Sequence, residues 1–341
     1  MAAATFPFTP SLLLLLLFFI FFPALSFADR CLPNDKTTLL KIKNSFFNPN
    51  VLLSWDPASD CCGWYVVECN ETTNHVIGLT ILYDQISGSI PDAVSDLTHL
   101  QTLRLKKLPL LVGNIPPAIG KLTNLVSLQI SWTNISGPVP GFLSNLQNLM
   151  FLDLSFNKLS GSIPASLAAL PNILEIRLDR NRLTGSIPDS FGQLPRTRPS
   201  LILSHNGLSG AIPASLGNVD FGRIDFSRNN FSGDASVLFN ASKTTEIIDI
   251  SRNKFEFDFS LAGFMAGSLI TLDISHNKIW GNIPLKITDA IYLQFLNVSY
   301  NRLCGEIPTG WRFRYRADNF DYSSFFHNRC LCGSPLEPCK P

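Results

Sequence analysis

Residues 149 to 164 read Leu149-Met-Phe-Leu-Asp-Leu-Ser-Phe-Asn-Lys-Leu-Ser-Gly-Ser-Ile-Pro164. The spacing of Leu149, Leu152, Leu154, Asn157, Leu159, Gly161, Ile163 and Pro164 defines a frame, L-x-x-L-x-L-x-x-N-x-L-x-G-x-I-P. It returns at Ile173, Ile176, Leu178, Asn181, Leu183, Gly185, Ile187 and Pro188. It returns again at Leu293, Leu296, Val298, Asn301, Leu303, Gly305, Ile307 and Pro308. Copies start near Val76, Leu100, Leu125, Leu149, Ile173, Arg198, Phe221, Thr245, Leu269 and Leu293, ten in all at steps of 23 to 25 residues.

A period in this range is that of a leucine-rich-repeat solenoid. In L-x-L the leucines point inward and the residue between them points out, so each repeat opens with a short strand. Stacked repeats line the strands up as a parallel sheet on the concave side of an arc. The Asn turns inward to hydrogen-bond backbone groups of the turn. Asn157, Asn181, Asn206, Asn229, Asn253, Asn277 and Asn301 predict a ladder, with Asp84 and Thr133 standing in and an extra residue near Leu108. Pro-led stretches such as Pro164-Ala-Ser-Leu-Ala-Ala-Leu170 predict helical turns on the convex side. The expected fold is an α/β solenoid, a right-handed superhelix with disulfide-bonded caps at both ends. No single repeat can bury its own apolar face, so stability comes from stacking.

The ends read differently. Leu12 to Phe22 is an uncharged apolar run too short for a membrane span, followed by Ser26-Phe27-Ala28. This predicts a signal peptide over 1–28 and export. Residues 29–75 read as an N-terminal cap, with a helix start at Asp35 and with Trp55 and Trp64 covering the first repeat. Repeats fill 76–308, and a C-terminal cap is expected over 309–341, where the period stops. Cys31, Cys61, Cys62 and Cys69 lie near one end and Cys304, Cys330, Cys332 and Cys339 near the other, with none between. Each set allows three pairings. Bonding neighbours Cys61 and Cys62 is strained, which favours Cys31–Cys61 with Cys62–Cys69, and similarly Cys304–Cys330 with Cys332–Cys339. No His has zinc-finger spacing to either set, so no metal is expected.

The formal net charge of +1 argues against a nucleic-acid binder or a polybasic membrane anchor. The apolar stretch from Phe259 to Leu272 is interrupted by Ser, Gly and Thr, so no membrane span is expected and the product reads as soluble. Outward strand positions are Thr80, Arg104, Gln129, Asp153, Arg177, Ile202, Asp225, Asp249, Asp273 and Asn297. The positions before each Asn are Tyr83, Lys107, Trp132, Phe156, Arg180, His205, Arg228, Arg252, His276 and Tyr300. Aromatics, Arg and an acidic line on one face form a candidate binding surface for a partner. His205 and His276 stand three repeats apart, about 14 Å, too far to share a metal or act as an acid–base pair. An open arc offers no pocket to desolvate a carboxyl, so no enzymatic activity and no cofactor are expected. Asn70, Asn134, Asn230, Asn240 and Asn297 begin N-x-[ST] sequons, candidate glycan sites in an exported protein.

The irregularities carry a resemblance. Gly233-Asp-Ala-Ser236 and Phe255-Glu-Phe-Asp-Phe-Ser260 replace G-x-I-P in repeats seven and eight. With Ser131-Trp-Thr-Asn134, Asn297-Val-Ser-Tyr-Asn-Arg-Leu-Cys-Gly305 and Phe326-His-Asn-Arg-Cys-Leu-Cys-Gly333, the chain resembles the plant polygalacturonase-inhibiting proteins from Cys31 to Cys339. The resemblance implies a monomeric cell-wall protein that binds fungal, and in some cases insect, endopolygalacturonases on its concave face and limits pectin degradation in defence. Two departures stand out: the basic, aromatic Trp311-Arg-Phe-Arg-Tyr-Arg316, and Glu246, placed at the first strand position of repeat eight, where the family is more often uncharged. The family also contains an ice-binding member, similar around Cys61-Cys-Gly-Trp64 and Arg104-Leu-Lys-Lys-Leu-Pro109. Ice binding and a soluble ligand-binding co-receptor are therefore the alternative functions. Arg104, Lys106 and Lys107, with Arg312, Arg314 and Arg316, are candidates to hold polygalacturonate.

Overall fold

The computed structural model describes residues 30–310 and 320–340, so the expected signal peptide and the Trp311–Arg316 segment lie outside the described residues. The cap opens with helix α1 (Pro33–Ser45), which starts two residues before Asp35. Pro33 takes the first helical position, where its missing N–H is not needed. Asp35 lies in the first turn, buried, where its carboxylate accepts from the Val76 amide (2.8 Å) and pairs with His75 Nδ1 (3.2 Å). Cap and first repeat are tied at that point. Trp55 and Trp64 are both buried and stack with centroids 5.5 Å apart. The strand Val67–Cys69 runs antiparallel to Val76–Leu82 and covers the sheet's first edge, which would otherwise invite pairing with another chain.

From Val76 onward every strand of the main sheet is parallel to the next, through Phe295–Asn297, giving ten parallel strands and, with Val67–Cys69, eleven in chain order among the described residues. Leu79, Leu103, Leu128, Leu152, Ile176, Leu201, Ile224, Ile248, Leu272 and Leu296 pair in register and are buried. Around this stack the core extends the length of the solenoid. The convex turns are 3₁₀ segments such as Ala165–Ala169, led by a Pro except in repeats seven and eight, where Ala235 and Asp258 take its place.

The L-[ST]-G residues do more than turn. Ser136–Pro138, Lys158–Gly161, Arg182–Gly185, Gly207–Gly210, Asn230–Gly233 and Lys254–Phe255 form a second, six-stranded parallel sheet along the flank. The Gly of every unit but Lys254–Phe255 holds a positive φ, 79° at Gly161, which a side chain would strain. Where repeats seven and eight lose G-x-I-P, the flank is filled by buried Phe239, Phe257 and Phe259, with rings 5.8 to 6.4 Å apart.

From Asn157 onward the Asn ladder runs as the frame predicts, whereas Asp84, expected to stand in at repeat one, accepts from its neighbour Gln85 N (2.7 Å) instead of reaching the adjacent repeat. Asn181 Nδ2 donates to Leu178 O (3.0 Å) in its own repeat and to Leu154 O (2.9 Å) in the preceding one, while its Oδ1 accepts from Leu159 N (3.0 Å). Thr133 joins by donating to Asn157 Oδ1 (2.5 Å). The period does not stop at Thr309. Asn328 Nδ2 donates to Val298 O (3.1 Å) and Phe325 O (2.7 Å), so the C-terminal cap adds one more rung. The disulfides are Cys31–Cys61, Cys62–Cys69, Cys304–Cys330 and Cys332–Cys339, the favoured pairings. The sulfurs of Cys31, Cys62 and Cys69 lie within 4.8 Å of one another, but all are oxidised and offer no thiolate.

Candidate binding surface on the concave face

Strand register places Thr80, Arg104, Gln129, Asp153, Arg177, Ile202, Asp225, Asp249, Asp273 and Asn297 side by side in one column. Beside it runs the second column, Tyr83, Lys107, Trp132, Phe156, Arg180, His205, Arg228, Arg252, His276 and Tyr300. All ten of these residues have a left-handed backbone, with φ between 53° and 57°. That conformation is costly for side chains this large. It recurs because the following ladder position, an Asn from Asn157 onward, must turn inward, and each chain reversal then throws its side chain out in the same direction.

The Asp column is built with its neighbours. Asp153, Asp225 and Asp249 each accept from the backbone N–H and the hydroxyl of the Ser two residues on: Ser155 (2.9 and 2.6 Å), Ser227 (3.2 and 2.7 Å) and Ser251 (2.9 and 2.7 Å). This local turn competes with partner contacts and fixes the carboxylates. Asp273 accepts from the Ser275 amide (2.9 Å), and Asn297 occupies the same slot over Ser299. Gln129 donates to Asp153 (2.6 Å), and Arg223 approaches Asp225 (3.7 Å).

Asp225, Asp249, Asp273 and Asn297 border an open groove of about 490 Å³ that runs from Phe156 to Asn297. Burial pushes Asp249 up to about 6 against the Ser251 hydrogen bonds, and repulsion from Asp225 and Asp273 adds to the rise. The expectation that an open arc desolvates no carboxyl is thus corrected, because the strand spacing forces like charges together in a half-buried row. Burial also raises Asp273, Asp179 and Glu175. His205 and His276 are lowered by burial and by adjacent Arg residues, Arg180 and Arg228 for the first and Arg252 for the second.

Two further corrections concern position. Glu246 is not the first strand residue of its repeat. Ile247 is, paired with Arg223 and Thr271. Glu246 sits one residue earlier, bound to Arg198 (3.0 Å) across two repeats. Ile247 belongs to a third outward column that reading only the x of L-x-L misses: Phe151, Glu175, Ser200, Arg223, Ile247, Thr271 and Phe295. Period two exposes both neighbours of an inward residue, so the signal was present. Asp179, in a slot Ser fills in the repeats on either side, pairs with Arg177 (3.4 Å) and was also missed.

The N-terminal part of the second column is a stack. Lys107 Nζ lies 4.5 Å over the Tyr83 ring and 5.8 Å from that of Trp132. Trp132 and Phe156 stack at 3.6 Å, and Arg180 Cζ lies 4.9 Å over Phe156. Of the sequons, Asn230 and Asn240 are exposed and Asn70 is half-exposed. Asn134 Nδ2 donates to Pro109 O (2.6 Å), and Asn297 lies on the concave strand.

Among the described residues no helix is long and apolar enough to cross a membrane. Family models match as a leucine-rich-repeat N-terminal domain over 32–70 and as leucine-rich repeats over 123–183, 200–219, 268–289 and 292–313. Polygalacturonase inhibitor 1 of Arabidopsis thaliana is 58% identical over 334 residues, covering 97% of this chain and 99% of that one. The polygalacturonase inhibitor of Vitis vinifera is 56% identical over 318 residues, covering 93% and 94%. A crystal structure of a plant ice-binding protein superposes with a TM-score of 0.87 at 46% identity, covering 91% of this chain and 99% of that one. With its ten repeats, its cap disulfides and this near-complete overlap, the chain belongs to the plant polygalacturonase-inhibiting protein family of leucine-rich-repeat proteins.

Proposed function

We propose that the protein is exported to the plant cell wall, where it docks its concave face on fungal endopolygalacturonases and limits pectin degradation. The observation that carries this is the 58% identity, over almost the full length of both chains, to a relative named as a polygalacturonase inhibitor. The concave columns supply what such a role needs: fixed carboxylates, Arg side chains and aromatic edges on one accessible surface. A reducing-end assay against a panel of fungal enzymes, from acidic to neutral pH, tests it. Inhibition of at least one enzyme is expected, and none across the panel would reject the reading. Arg104, Lys106 and Lys107 are further proposed to hold polygalacturonate. Their combined neutralisation should lower retention on a pectate column at low salt, and unchanged retention would refute this.

Ice binding is the second reading, favoured by the 46% identity to the solved plant ice-binding protein. The concave face does not suit it, since Trp132, Phe156 and Arg177 interrupt any flat array. The flank sheet suits it better. Ser160, Thr184, Ser209 and Ser232 recur there once per strand, although Arg182 and Lys254 stand opposite Ser160 and Ser232. Thermal hysteresis without enzyme inhibition would reverse the order of the two readings.

A further inference from the structure

Tyr83, Lys107, Trp132, Phe156 and Arg180 stand in one file over five consecutive repeats, about 19 Å from end to end at the strand spacing. Their shared left-handed backbone aims all five side chains the same way, which is why they can stack. Tyr83 and Trp132 remain 66% and 44% exposed. The stacking decides which part of each ring is offered to a partner. Trp132 and Phe156 turn their faces to each other, so their electron-rich surfaces are covered and their electropositive edges point outward. Lys107 and Arg180, seated against the outer rings, add full positive charge to the same rim. The rim is therefore cationic and aromatic together. The nearest carboxylate in the adjoining column, Asp153, is already engaged by Gln129 and Ser155.

Resting on the inhibitor reading, we propose that this stack is the specificity-determining anchor of the concave face and receives a carboxylate-bearing loop of the bound enzyme. A sugar ring would lie flat on an open aromatic face, and the faces of Trp132 and Phe156 are closed. An Asp or Glu side chain meets ring edges and cations end-on, as this rim presents them. Because the stack is assembled before binding, little side-chain freedom is lost when the partner docks. Aromatic and Arg residues held in this way carry a disproportionate share of interface affinity.

The test uses the full chain and a polygalacturonase that it inhibits. Trp132→Asn removes the ring while keeping a residue that tolerates the left-handed backbone, so the fold should survive, which a melting curve checks. Inhibition should weaken about 30-fold or more for Trp132→Asn. Lys107→Gln and Arg180→Gln should each weaken it several-fold and flatten its salt dependence. Neutralising acidic loop residues of the enzyme one at a time should reproduce the Lys107→Gln loss and not add to it. Parent-like inhibition by all three variants overturns the anchor while leaving the inhibitor reading intact. Normal inhibition with lost pectate retention would give the rim to a uronate chain and also overturn it. A parent protein that inhibits no polygalacturonase removes the reading and the anchor together.

Discussion

Asp249 holds Ser251 twice, its Oδ1 accepting both the backbone amide (2.9 Å) and the hydroxyl (2.7 Å). The same carboxylate lies in register between Asp225 and Asp273. It is thus fixed in place by one neighbour and repelled by two others.

Stability should carry the signature of that conflict. Folded Asp249 keeps its proton to about pH 6 against an ordinary value of 3.8, so the folded state binds more protons in this window. Its favourable contribution is fully present below pH 4 and is lost as pH rises through 6. The loss is at most about 3 kcal/mol. Asp249→Asn should remove it, since Asn297 already makes the same Ser contacts in the last repeat. Urea midpoints should coincide for parent and variant near pH 4 and favour the variant above pH 7. Parallel curves across the whole range would refute the assignment.

The ladder makes a sharper stability claim. Asn229 Nδ2 donates to Leu203 O (3.0 Å), Phe226 O (3.1 Å) and Ser227 O (3.2 Å), and its Oδ1 accepts from Leu208 N (3.1 Å). Asn229→Ala leaves these groups without partners inside the solenoid and should cost on the order of 3 kcal/mol. Asn230→Ala, one residue on and exposed, should change stability by less than about 0.5 kcal/mol. Equal denaturant midpoints for the two variants would remove the ladder from the stability argument.

The repeat frame made the fold legible because Leu, Asn and Gly each have one physical job per turn. Leu152, Asn157 and Gly161 sit where their chemistry requires, and reading the period places every concave strand of the repeats, while the flank sheet went unread because its residues look like turn residues alone. What the frame hid depends on interactions between positions rather than on residue type. Nothing about Trp132 or Arg180 signals a left-handed backbone, which the inward turn of the next position imposes. Asp225 and Ser227 read as two separate slots until the turn joins them. Asn328 escaped because it follows Asn301 by 27 residues, beyond the 23 to 25 of the repeats, and because the surrounding apolar pattern had changed to Phe325 and Cys330.

Glycan placement gives a test that needs no partner enzyme. The transferase attaches sugar to Nδ2 of an accessible Asn, so a sequon on an outward turn suits it and one on a packed strand does not. Asn230 starts a flank strand and Asn240 an exposed turn, in which its Oδ1 accepts from Ser242 N (3.0 Å) and Nδ2 is left outward. Asn70 is arranged alike, with its Oδ1 taken by Thr72 and Thr73. At Asn134 a glycan would displace the bond to Pro109 O. At Asn297 it would stand on the concave strand beside Asp273, over the groove. Peptide mapping of protein made in a plant host should therefore find sugar on Asn70, Asn230 and Asn240, with Asn134 and Asn297 bare. Full occupancy of Asn297 in material that still inhibits a polygalacturonase would mean that the enzyme does not dock over the C-terminal part of the concave face.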